Sequence, residues 1–370
     1  MVVVLNALCA LTGVLLVFLA LRDVFQVVLV PRAISRRWRI SAGLTWFLWT
    51  IWPRLSWRIR DESAREDFLS TFAPFTMVAL LAAWAFTISL GYGLIFVTMR
   101  SQLHPQNVSF FGALYFAGTS FSIGYGDITA SSGLARLVSL LAGASGLSVV
   151  AIVTAFLFSV FAAFQRREVF VVTFGARAGA PPTGVGLLVI HAYGDMMQDL
   201  PALFIQGQAW TAEVLESHLA YPILSFFRSS HDYESWIGTL GALLDAATLS
   251  LTTLDEGKHG QARIMYEVGR HLTHDFANYY RLPRGSDVGV ERWEFVAARE
   301  RLAQAGLKLR DEDEAWRLFS DLRCSYASAL NAMALFWHIP PVQWVGDRSL
   351  IRADHIRRQM PDAMHWGALR

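Results

Sequence analysis

Residues Ser122 to Asp127 read SIGYGD, two glycines around a tyrosine in a chain otherwise heavy with leucine, valine and phenylalanine. Side chains this small leave the backbone itself as the chemical offering. A dehydrated cation needs a cage of oxygens, and stacked rings of backbone carbonyls supply one without placing full charges in its path. Gly124 and Gly126 allow the φ > 0 conformations in which successive carbonyls point the same way. Ser122 adds a hydroxyl acceptor at the inner end, and Tyr125 can point outward into surrounding protein as a strut. A single loop cannot close a ring, whereas four identical copies around an axis can, and closed cyclic symmetry is the usual homo-oligomeric solution.

Such a loop needs an apolar setting, and the composition provides one. Of 370 residues 54% are hydrophobic and 17% charged, against about 25% charged in soluble domains, and the mean hydropathy is +0.36. Part of the chain must live in lipid. Inside lipid, irregular backbone is tolerated only where it is buried in protein or lines a watery path. Three segments are long and apolar enough to span: Val2 to Leu21, Phe72 to Met99 and Leu134 to Phe164. Val108 to Phe121 is too short to cross and is expected to enter and turn back. Ile40 to Trp57 has Pro53, expected to break it, and Trp46, Trp49, Trp52 and Trp57, so it reads as a helix lying in the membrane surface, with a fourth span as the rival reading. The N-terminus lacks a basic region and a cleavage site, which favours a retained anchor over a signal peptide.

Arginines set the orientation. Arg32, Arg36, Arg37, Arg39, Arg54, Arg58, Arg60 and Arg65 lie between the first two spans, and Arg166 and Arg167 follow the third. By the positive-inside rule both regions face the cytoplasm, which puts the N-terminus outside and everything after Phe164 in the cytosol of a multi-pass plasma (inner) membrane protein, with a bacterial host the better guess. Membrane lipid is the expected partner and no nucleic acid is; the net charge of +2 is uninformative here, and the local distribution of charge is what matters. Arg22 and Asp23 suggest a local ion pair or headgroup contacts. No span carries the regularly spaced arginines of a voltage sensor. Cys9 and Cys324 give no disulfide framework.

The stretch TSFSIGYGD resembles the potassium-channel signature Thr-x-x-Thr-x-Gly-Tyr-Gly-Asp, and the order span, re-entrant helix, filter, span resembles the two-transmembrane bacterial potassium channels over about Phe72 to Phe164. The resemblance implies an all-α membrane protein with a tetrameric pore domain: outer helix 72–99, pore helix 108–121, filter 122–127 and inner helix 133–165. It implies ion coordination by Ser122, Ile123, Gly124, Tyr125 and Gly126, with Asp127 at the outer mouth and Thr119 behind the filter. Gly146 falls where the family has a hinge glycine, and Thr154 with Ala155 matches a pair facing the cavity. Val150, Thr154 and Phe158, at i, i+4 and i+8, share one face and suit a cavity lining. For Gly146 the alternative is close helix packing, and for Phe158 it is lipid or neighbour contact. Three departures stand out: Ser122 replaces a threonine, Phe121 replaces a small hydroxyl residue, and Gly118 occupies a place where some relatives carry an acid that pairs with the filter aspartate.

The domains expected are therefore residues 1–30, an anchoring helix; 31–70, a basic linker with the Trp-rich helix; 71–165, the pore domain; and 166–370, a mainly helical cytosolic and regulatory domain with an unidentified ligand. A short β-like run, EVFVVTFG, opens the last of these, and SWIGTLGALLDAATLSLTTL and DEAWRLFSDLRCSYASALNAMALFW read as helices. An alternating β/α nucleotide-binding domain fits poorly, since strand-like runs do not recur. Glu267, His271 and His274 share a helical face as a metal site requires, although a solvated face is the simpler reading. Nothing has the context of a catalytic nucleophile, so no enzyme and no cofactor are expected, only K⁺ as permeant ion. The expected function is passive, K⁺-selective conduction gated by the C-terminal domain. The alternatives are a weakly selective cation pore and a membrane-anchored scaffold with a vestigial pore.

Overall fold

The computed structural model describes residues 2–28, 30, 39–179, 181–229, 234–255, 259–339 and 344. Arg32, Arg36 and Arg37 of the basic linker lie outside the described residues. The chain is an all-α membrane protein that divides into two compact units, Met1–Ala162 and Ala163–Arg370. Three helical stretches, Val3–Val28, Ser63–Thr98 and Gly133–Ala178, are long and apolar enough to cross a membrane.

The first unit contains α1 (Val2–Val28), α2 (Ile40–Ser56), α3 (Glu62–Ser70), α4 (Phe72–Thr98), strand β1 (Leu103–His104), α5 (Phe110–Phe121), strand β2 (Thr129–Ala130) and most of α6 (Gly133–Ala178). α1 packs along α4, and the pair approach closely at Gly13 and Gly91, where a Cβ on Gly91 would stand 2.8 Å from the Gly13 carbonyl oxygen. Near the end of α1, Asp23 is not paired with Arg22. It is buried and accepts from the Ser41 amide (2.9 Å), the Ser41 hydroxyl (3.0 Å) and Trp84 Nε1 (2.8 Å), with Arg39 Nε at 3.7 Å. A carboxylate in so apolar a place needs these partners, because unpaired it would forfeit its hydration without replacement. α2 runs through Pro53 without breaking, since only the last turn follows, and the Ser56 hydroxyl closes that turn on the Pro53 carbonyl. Trp52 then ties α2 to α3, stacking on Phe68 at 5.1 Å and donating Nε1 to the Phe68 carbonyl.

The second unit takes the last turns of α6 together with α7 (Gly184–Tyr193), α8 (Leu200–Ala220), α9 (Trp236–Thr252), α10 (Gly260–Tyr280), α11 (Arg292–Gln304), α12 (Glu312–Arg323) and α13 (Ala327–Phe336). The run EVFVVTFG is helical, not extended: it continues α6. Residues 163, 167, 168, 171, 174, 175 and 178 are buried and define one helical face, and extending an existing helix is easy, so burial on that face overrides β-branched preference. α6 therefore ends at Ala178 rather than near Phe164. Thr183 caps α7 by accepting from the Gly186 amide. α9 is buried almost all round, as its apolar sequence requires, and α7, α8, α10, α12 and α13 pack on it. The segment from Asp313 to Trp337, which reads as one helix, is two. The break frees Tyr326 to donate to Asp245 Oδ1 at 2.7 Å, and Arg323 binds the same carboxylate through Nε to Oδ1 (2.8 Å) and Nη2 to Oδ2 (3.2 Å).

Removing the Asp23 carboxylate tests the first unit's polar anchor. Asp23→Ala leaves three donors from two buried residues, and an arginine, without their acceptor and should lower the stability of the detergent-solubilised chain by about 3 kcal/mol, with Asp23→Asn less harmful. Equal unfolding midpoints for wild type and Asp23→Ala would contradict the role.

Candidate functional site

The loop that follows α5 is built from the helix outward. The Ser109 hydroxyl caps α5 by accepting from the Gly112 amide at 3.0 Å, and Phe116 packs edge-on against Phe96 of α4 at 4.7 Å. At the far end the helix hands its last carbonyls to the loop. The Ser122 amide donates to Gly118 (3.1 Å) and Thr119 (3.2 Å), and the Gly124 amide donates to Thr119 (2.7 Å). The Ser122 hydroxyl donates back to the Gly118 carbonyl at 2.7 Å, which leaves its oxygen lone pairs unspent. Thr119 is buried and donates to the Phe116 carbonyl.

Gly124 and Gly126 have φ of 71° and 83°. A Cβ at either would meet nothing within 4 Å, so the requirement for glycine is conformational and not one of space. Among the described residues no hydrogen bond ends on a carbonyl oxygen of Ser122 to Gly126. These oxygens are free for another ligand. Ile123 and Tyr125 are 72% and 66% exposed, so the tyrosine finds no wall to brace against within its own chain.

The aspartate that follows has a neighbour that its place in the sequence did not suggest. Tyr115, one turn before Gly118, lies close enough to the Asp127 side chain to interact with it electrostatically. Its signal was legible as a polar-tipped aromatic three residues from the position where relatives place an acid. Beyond Asp127, β1 and β2 pair antiparallel, Leu103 with Ala130 and His104 with Thr129. Gln102 fastens the return, its carbonyl accepting from the Ser131 amide and hydroxyl and its side chain accepting from Ser132.

α6 supports the loop from behind. A Cβ at Gly146 would fall inside the van der Waals shell of the Phe121 carbonyl oxygen and 3.2 Å from the Phe121 ring. Gly146 thus has a packing requirement set by Phe121, whatever bending it also permits. Ser139 reaches Ser120 at 3.3 Å, and Tyr92 of α4 meets Ser145 at 2.8 Å. Further along, Val150 and Phe158 are 58% and 74% exposed and the Thr154 hydroxyl bonds back to the Val150 carbonyl. Their face is unfilled by the chain itself.

The residues proposed for a metal do not converge. Glu267 binds Arg270, His271 faces Asp275, and His274 Nε2 meets the Ser325 carbonyl at 2.8 Å. Shared helical phase put them on one side, but each side chain is claimed by a different neighbour, and no grouping of three metal-ligating side chains occurs among the described residues. Both cysteines are free thiols.

Residues 75–163 match the family model described as ion channel. That stretch contains α4 without its first three residues, α5, the glycine loop and α6 up to the division between the units. The chain is also 25% identical over 234 residues to the uncharacterized membrane protein YdjJ of Bacillus subtilis (strain 168), covering 57% of this chain and 67% of that one. No solved structure matches.

Two substitutions test the geometry around the loop. Gly146→Val should destabilise the folded chain by about 3 kcal/mol through overlap with Phe121, seen as a lowered melting temperature, and an unchanged one would refute the packing role. Tyr115→Phe should loosen the loop by about 1 kcal/mol, seen as roughly fivefold faster amide exchange at residues 124–128. Unaltered exchange would remove Tyr115 as the support of Asp127.

Proposed function

We propose that the chain is one subunit of a homotetrameric, potassium-selective channel, with Ser122, Ile123, Gly124, Tyr125 and Gly126 coordinating the ion. The observation that carries this reading is the loop itself: free carbonyl oxygens, positive φ at alternate glycines and two amides anchored on the pore helix. Ion-channel function at the level of the family match is the coarser statement on which it builds. A K⁺ ion sheds its water as four copies of the loop replace the hydration shell, and adjacent ions displace one another through the row. The exposed Ile123 and Tyr125 side chains would find their wall on neighbouring copies, and the open face of Val150, Thr154 and Phe158 would line the cavity below.

In this reading the protein sits in a bacterial plasma membrane among lipid, with its N-terminus outside and its second unit cytoplasmic and gating the pore. The arginine distribution supports that orientation. Tyr115 takes over the support of Asp127 that an acid at position 118 gives in relatives.

Purified protein in planar bilayers under opposed K⁺ and Na⁺ gradients should reverse near the K⁺ equilibrium potential, and Gly126→Val, strained at φ 83°, should abolish the current. Reversal near zero would leave a weakly selective cation pore. Absent flux from intact tetramers, with specific ligand binding retained, would favour a scaffold.

A further inference from the structure

The last turns of α6 carry a buried arginine surrounded by acceptors. Arg167 gives Nε to Glu168 Oε1 (2.9 Å), Nη1 to His218 Nε2 (3.1 Å) and to the Leu224 carbonyl (3.0 Å), and Nη2 to the Phe227 carbonyl (2.9 Å), with Nη2 also 2.9 Å from Glu168 Oε1 as an ion pair. Its own carbonyl accepts from Trp210 Nε1 at 3.2 Å. Four of the five guanidinium N–H groups are thus bonded, and the fifth belongs to Nη2, which lies against the Glu168 carboxylate. The cluster is a fastening rather than a binding pocket.

One of its four hydrogen bonds depends on a histidine acceptor. Arginine only donates, so His218 Nε2 must present its lone pair, and the imidazole must be neutral with its proton on Nδ1. Protonation puts a second N–H and a second positive charge against Arg167 in a fully buried place. The surroundings offer little relief. α6 contributes Arg167 and, beyond it, Glu168, whose Oε1 is committed to Arg167 and whose Oε2 is buried without a hydrogen-bond partner. α9 and α10 face the imidazole with the uncharged rings of Trp236 (5.1 Å) and Phe276 (5.9 Å), α8 with the Ser217 hydroxyl, and the turn Pro222–Phe226 with a carbonyl already bound to Arg167. Burial first, and then the Arg167 charge, hold His218 well below the ordinary histidine range.

We propose that the Arg167–His218 contact is a proton-released latch by which the second unit holds the end of α6, so that acidification frees α6 and changes conduction. The effect on conduction rests on reading α6 as the inner helix of the pore. The sign follows from linkage: the latched state requires neutral His218, while the released imidazole titrates near its ordinary value of about 6.5. The latch is therefore fully held above that pH. It loses up to about tenfold in equilibrium constant per unit as pH falls below it.

K⁺ flux from proteoliposomes of the full chain, with pH lowered on both faces from 7.5 to 5.0, tests the latch without assuming a topology. Wild-type flux should change at least about threefold, a conservative fraction of the linkage limit. His218→Gln, whose amide oxygen still accepts from Arg167, should give a flat profile. Arg167→Lys at pH 7.5 should resemble the acidified wild type. A His218→Gln channel that keeps the wild-type response overturns the latch. If no variant conducts at any pH, the channel reading falls, and hydrogen exchange of residues 163–178, corrected for intrinsic rates, decides the latch alone. Acid must then deprotect the wild type and spare His218→Gln, and equal deprotection in both overturns it.

Discussion

A polypeptide in an apolar surrounding must give each amide and carbonyl a partner, and the glycine loop is where this chain leaves several carbonyls open. The loop survives because the rest is over-secured. Its Ser122 and Gly124 amides are fixed on the end of α5, Asp127 lies beside Tyr115, and the return strand is bound through Gln102. The open oxygens are thus a local deficit that only an ion or water can fill.

Support for the loop reaches outward through close backbone contacts. Phe121, a bulky residue just before the glycine loop, sits against Gly146, so the entry to the loop and the glycine in α6 belong to one packing unit. α4 is likewise pressed against α1 at Gly91 and anchored to it through Trp84 and Asp23. The N-terminal helix is therefore an integral part of the first unit's core and more than a tether.

Both units use buried charge in the same manner. Asp23, Asp245 with Arg323, and Arg167 are each surrounded by hydrogen-bonding partners, while Glu168 keeps one buried carboxylate oxygen without one. Such clusters add modestly to stability but penalise any arrangement that separates their members. Burial and the Asp245 charge also push the Tyr326 phenol well above its ordinary range, so this cluster stays in one protonation state near neutrality. The His218 site differs because its acceptor titrates.

Much of the first unit could be read directly from the residues. Long apolar runs, the short α5 stretch and the glycine pair are local signals, and each rests on what the bilayer demands of a backbone. The reading failed where distant residues decide. EVFVVTFG is rich in β-formers yet helical, because its buried face belongs to the second unit; Asp23 ignores its neighbour Arg22 because Ser41 and Trp84 come to it in space. Tyr115, Gly146 and Arg167 acquired their roles only once helices far apart in the chain were brought together. The sequence alone determined which segments suit lipid and which backbone could bare its oxygens. Tertiary structure decided what holds that backbone in place, since hydrogen bonds and van der Waals contacts act over a few ångströms and spacing along a chain does not specify distance across it.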